Sequence, residues 1–213
     1  VYNKGSLASH TIGYIAKIND KELKTRKDTY TSNDYIGRAG IESVLEEYLK
    51  GENGKIQIDM SVDGTITGEY TTKEAVAGCD VVLTIDANLQ AVAEESLKYN
   101  IDKVRNGGFA ETYDAKGGTV VVTNVKTGEV LALVSYPDYE PSLFYNGISQ
   151  SKYDEYVSQR ALYNRAISGA YAPGSIFKMV TAVAGLETGV ITRTEKIRDT
   201  GIYTKYGESW KCW

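Results

Sequence analysis

Histidine is nearly missing from this 213-residue chain, where His10 stands alone. That scarcity removes any histidine-based serine triad and any multi-histidine metal site, and His10 itself reads as a structural residue. Cysteine is almost as scarce. Cys79 and Cys212 are too few for a disulfide framework or a cysteine-built zinc site, and they read as unpaired. Long apolar runs are missing too: none approaches the roughly 18 to 20 residues that a membrane helix needs. The opening Val1-Tyr2-Asn3 has no signal-peptide pattern, so the chain reads as excised from something longer. Nor is there a basic excess. The formal net charge is -4 and the lysines are scattered rather than striped, which argues against nucleic acid as a partner.

What is present is an ordinary globular composition, 42% hydrophobic, with elements of both kinds, an α+β pattern. Leu7 to Ile18 alternates loosely and predicts a half-buried strand, and the charged stretch Asn19 to Asn33 predicts an exposed excursion. Ile41, Val44, Leu45, Tyr48 and Leu49 keep helical spacing, with Gly51 where a C-terminal cap belongs. Arg38 and Glu42 beside it read as structural charges. Lys55 to Met60 and Thr65 to Tyr70 predict a hairpin about Val62-Asp63-Gly64.

Lys73 to Cys79 is a natural boundary, giving domains 1–78 and 79–213. After it, Val81 to Ile85 predicts a buried strand. Asp86 predicts the cap of a helix whose apolar face is Leu89, Val92, Ala93 and Leu97. Thr119 to Val125 and Glu129 to Tyr136 predict central strands covered on both faces. The aromatic loop Pro137 to Gly147 predicts packing, and Ser151 to Arg165 a helix.

The stretch with chemistry in it is Tyr171 to Gly189, where Pro173-Gly174 delivers Ser175 onto an apolar helix and Lys178 follows three residues on. Positions three apart on a helix share a face. A serine hydroxyl needs a neighbour to take its proton. An uncharged lysine serves if desolvation lowers its pKa, and Ile176, Phe177, Met179 and Val180 offer apolar surroundings. The helix start favours developing negative charge, and the Ser175 N–H is a candidate oxyanion donor. With no usable histidine, Lys178 is the cation placed to act as base. Ser149 and Lys152 repeat the spacing, but the Tyr-Asp-Glu-Tyr run after them marks a solvated helix start. Lys126-Thr127-Gly128 lies between two strand-like runs and reads as a turn.

Asn164-Arg165-Ala166 followed by the Tyr171 to Lys178 stretch resembles the nucleophile region of penicillin-binding proteins, whose boxes are S-x-x-K, S-x-N and K-T-G. Gly37-Arg38-Ala39-Gly40-Ile41-Glu42, with Glu47 to Gly51 behind it, is similar to the pedestal signature of the class B members. Val82 to Asp86 with Leu89-Gln90 resembles the entry to their catalytic domain. Gly5 to Tyr14 with Asn33 to Gly37 tilts the resemblance toward the elongation type.

The fold implied is a dimerisation-type pedestal domain followed by the N-terminal part of a penicillin-binding transpeptidase domain. The activity implied is cross-linking of peptidoglycan stem peptides ending in D-Ala-D-Ala through a Ser175 acyl-enzyme, with Lys178 as base and β-lactams as acylating agents. A membrane glycan polymerase of the elongation machinery is the implied partner, on the extracytoplasmic face of the bacterial cytoplasmic membrane. No metal or cofactor is implied. One departure matters: the chain stops at Trp213 ahead of the S-x-N and K-T-G boxes, which predicts inactivity by itself. Two alternatives stay open: a D,D-carboxypeptidase or β-lactamase-like hydrolase, and a non-catalytic β-lactam sensor or scaffold.

Overall fold

The computed structural model describes residues 2–26 and 29–212, and they divide into two compact units, Val1–Gly169 and Ala170–Trp213. The first opens with a short helix, α1 (Ser9–Ile12), then β1 (Ile15–Lys17). The single strand expected over Leu7 to Ile18 is thus a helical turn plus three strand residues, because the chain folds back at Gly13 against the backbone of Ala39. α2 (Asp20–Thr25) lies in the charged stretch expected to be an excursion. Asn19 and Glu22 close a capping box there, which satisfies end N–H groups without tertiary help. β2 (Tyr35–Gly37) pairs antiparallel with β1, and Ile18, Tyr30 and Ile36 form a small core beside it.

The helix expected over Ile41 to Leu49 is broken. α3 (Gly40–Val44) and α4 (Glu46–Leu49) meet at Leu45, and Val44 faces solvent. Glu46 explains the break: its carboxylate accepts from Gly37 N at 2.7 Å and from the Tyr30 hydroxyl at 2.6 Å, so α4 is pulled toward β2. Arg38 has the structural role expected, pairing with Glu22 and donating to Lys17 O. The hairpin β3 (Lys55–Met60) and β4 (Ile66–Lys73) forms as predicted, exposed on both faces.

The buried strand expected at Val81 to Ile85 is absent from the described residues. The stretch is irregular and Val82 points outward. Its end meets the backbone at Val130 and Leu131, through Thr84 Oγ1 donating to Val130 O and the following Asp86 N donating to Leu131 O. Five apolar residues look alike in sequence whether or not a sheet edge receives them. Asp86 does cap α5 (Ala87–Arg105), accepting from Asn88 N and Leu89 N. The inner face of α5 differs from the expected one: Val92 is exposed, while Gln90 is fully buried. Its amide donates to Leu133 O and Glu94 and accepts from Leu133 N, so a polar side chain completes the sheet's backbone bonding.

β5 (Gly118–Thr123) and β6 (Val130–Tyr136) pair antiparallel around the turn read at Lys126-Thr127-Gly128. They are covered only in part on the second face: α5 packs on one, while on the other Ser135 is buried but Val121 remains half exposed. α6 (Ser142–Tyr145) and α7 (Gln150–Ser158) follow, then α8 (Arg165–Ser168). The helix expected over Ser151 to Arg165 ends early, at Gln159, because Arg160 turns left-handed at φ 53°. The aromatic loop packs as predicted. Tyr139, Phe144, Tyr156 and Ala161 form the main core, and Tyr14 from the N-terminal segment stacks on Phe144 at 3.9 Å.

The second unit begins with a 3₁₀ turn (Gly174–Phe177) that runs into α9 (Lys178–Glu187), with Gly189 past its end at φ 72°. β7 (Ile202–Tyr203) and β8 (Trp210–Lys211) make a two-residue hairpin. No helix among the described residues is long and apolar enough to cross a membrane.

Candidate active site

Ser175 and Lys178 sit at the seam between the 3₁₀ turn and α9. Gly174 adopts φ 55°, a left-handed conformation that glycine reaches without strain, and it turns the chain onto the helix start. The Lys178 N–H donates to Ser175 O, closing one i to i+3 turn. In that geometry side chains three apart eclipse one another, so Ser175 and Lys178 rise from one edge. Among the described residues no side-chain hydrogen bond joins them. Both are solvent-exposed.

The apolar surroundings expected for Lys178 are not formed here. Ile176, Phe177, Met179 and Val180 are 69, 53, 71 and 55% exposed. Side chains radiating from one helix dry a neighbour only when another element covers them, and within this unit α9 meets little more than Ile191 at Gly185.

Both decoys behave as read. Ser149 caps α7, its Oγ accepting from Lys152 N, and the Lys152 ammonium binds Glu155 at 2.9 Å. Lys126 N donates to Asn124 Oδ1 inside the hairpin turn. Cys79 is free and exposed, whereas the Cys212 side chain hydrogen-bonds Asp199 and holds that carboxyl below its ordinary range. No group of histidine, cysteine and carboxylate side chains suited to a metal occurs among the described residues.

Sequence reasoning missed the mounting of the segment just upstream of Tyr171. His10 Nε2 donates to Ala161 O at 2.6 Å, and its ring meets Tyr139 edge-on at 5.1 Å. Asn164 caps α8 and donates to His10 O, and the Tyr139 hydroxyl donates to Ser9 O at 2.9 Å. Ser135 on β6 accepts from Arg165 N and donates to Tyr163 O. His10 therefore grips Ala161 and Asn164 from about 150 positions away, a pairing that leaves no local signal in sequence. The lone histidine was the available clue. Burial holds its pKa below the ordinary value, against the pull of the Ala161 carbonyl and Asp138, and nearby Arg165 lowers it further.

Residues 1–83 match the family model for the penicillin-binding protein dimerisation domain, and residues 118–213 match that for the penicillin-binding protein transpeptidase domain. The peptidoglycan D,D-transpeptidase MrdA of Acinetobacter baumannii is 35% identical over 99% of this chain, which spans 29% of that protein. MrdA of Escherichia coli K12 is 34% identical over the whole chain and 33% of its own length. A structure titled "Structural coordination of polymerization and crosslinking by a peptidoglycan synthase complex" superposes with TM-score 0.85 at 30% identity, over all of this chain and 37% of that one. The chain thus spans about a third of the curated relatives it matches. Mixed helices and strands, together with both domain matches, place this chain in the penicillin-binding protein family, as a dimerisation domain followed by the start of a transpeptidase domain.

Proposed function

We propose that this chain is part of a peptidoglycan D,D-transpeptidase of the elongation type, with Ser175 as nucleophile and Lys178 as its general base. The observation that carries the reading is the shared edge on which one 3₁₀ turn sets the two side chains. Ser175 attacks the penultimate D-alanine carbonyl of a stem peptide and terminal D-alanine leaves. An amine from a second strand then resolves the acyl-enzyme as a cross-link. A β-lactam acylates the same hydroxyl, its ring amide opening as the ester forms.

Lys178 takes the serine proton only when uncharged, which requires that α9 be covered. An apolar helix exposed on nearly all sides is a helix made for an interior. We assign its covering, and the S-x-N and K-T-G boxes, to sequence outside this chain, so the 213-residue chain is inactive alone. We propose the boundary between the two domains at Gly78 and Cys79, which lie in the irregular stretch between β4 and α5. The similarity to a complex titled for coordinated polymerisation and cross-linking supports a membrane glycan polymerase as partner. The likeness to MrdA supports the extracytoplasmic face of the cytoplasmic membrane as the place of work.

Fluorescent penicillin tests the site. Intact protein is expected to label one to one, Ser175→Ala not at all, and Lys178→Ala to acylate about 10² to 10⁴ times more slowly. Full labelling of Ser175→Ala would sink the assignment.

A further inference from the structure

We propose that the first unit carries an oxyanion-binding pocket for a phosphate or carboxylate group. A cavity of about 370 Å³ opens between the C-terminal ends of α5 and α7 and the start of β5, and four cations line it: Arg105, Lys116, Arg160 and Arg165. Ser158 and Gln159 add hydrogen-bonding groups, and no carboxylate is among the lining residues.

Arg165 is the anchor. It is 8% exposed, and its guanidinium donates to the carbonyls of Arg160 (2.9 Å), Tyr163 (3.4 Å) and Gln159 (3.4 Å). Those carbonyls satisfy N–H groups but carry no net charge. Among the described residues neither Arg165 nor Arg160 has a carboxylate within ion-pair distance. Arg105 reaches Asp102 through one contact of 3.3 Å, and Lys116 meets Asp114 at 3.0 Å out in solvent. Gly117 shows how closely the loop is drawn in: a Cβ there would lie 2.7 Å from Arg165 Nε and 2.5 Å from Tyr136 O. A buried cation without a counter-charge is costly. Arg160 adds a second cation without a carboxylate partner at the same cavity, and a bound oxyanion relieves the cost with charge-assisted hydrogen bonds.

The shared chemistry is a doubly hydrogen-bonded oxyanion, and its two sources separate by titration. Calorimetric titration of the intact protein with inorganic pyrophosphate at low salt is expected to show saturable one-site binding that weakens as ionic strength rises. Glutarate is the carboxylate arm: the tighter of the two probes names the group. Lys116→Gln and Arg105→Gln are each expected to weaken binding about ten-fold, while Lys21→Gln, on α2, leaves it unchanged. Lys116 is 80% exposed in its side chain, so its replacement leaves the fold intact. Neither probe binding at millimolar concentration would overturn the site, as would equal binding by wild type and both pocket variants.

Discussion

Tyr139 and Met179 make the contrast between the two units: the first is 3% exposed and ringed by other aromatics, the second 71% exposed on an apolar helix. The unit ending at Gly169 has closed its main core with side chains drawn from both the dimerisation and the transpeptidase matches. The unit beginning at Ala170 holds the candidate chemistry and has buried almost nothing. Local sequence suffices to wind a helix, whereas the dryness that makes a lysine a base has to be supplied by other elements.

The sharpest way to break that contrast is to empty the finished core. Phe144→Ala is expected to cost about 3 to 5 kcal/mol in urea denaturation of this chain, because Tyr14, Tyr139 and Tyr156 all pack on that ring. A loss under about 1 kcal/mol would mean the aromatic cluster is not the core.

A smaller effect comes from His10. Its folded pKa lies below the ordinary value, so the unfolded chain binds the proton more readily. Stability is then complete above about pH 6.5 and falls as pH drops from there toward the lowered folded pKa. His10→Gln keeps a donor for Ala161 O and is expected to flatten the difference between pH 7.5 and 5.5. The wild-type slope surviving in that variant would show that another group carries it.

The smallest effect lies on the other side of the comparison. Met179→Ala is expected to shift this chain by no more than about 0.5 kcal/mol. In the longer protein, with α9 covered as proposed, the same change is expected to cost about 2 kcal/mol or more. Equal effects in both would remove the argument for a covered helix.

Sequence was most informative where the cause is local. Asp86 capping α5, the Lys126-Thr127-Gly128 turn and Gly189 past α9 each rest on residues within a few positions. It misled where tertiary partners decide: Leu45 breaks a helix because Glu46 is claimed by Gly37 and Tyr30, and Val81 to Ile85 lacks a sheet partner along most of its length. At the candidate site the spacing of Ser175 and Lys178 was legible, since one turn fixes it. The environment of Lys178 was not, because its apolar neighbours face outward.

The hold of His10 on Ala161 and Asn164 has a practical consequence for anyone dividing this protein. A cut at Cys79 follows the sequence boundary yet severs a folding unit, leaving the Tyr139 hydroxyl without the Ser9 carbonyl and Phe144 without the Tyr14 ring. Trimming that respects the molecule keeps the chain from Ala8 onward, so residues from both domain matches fold and fail as one.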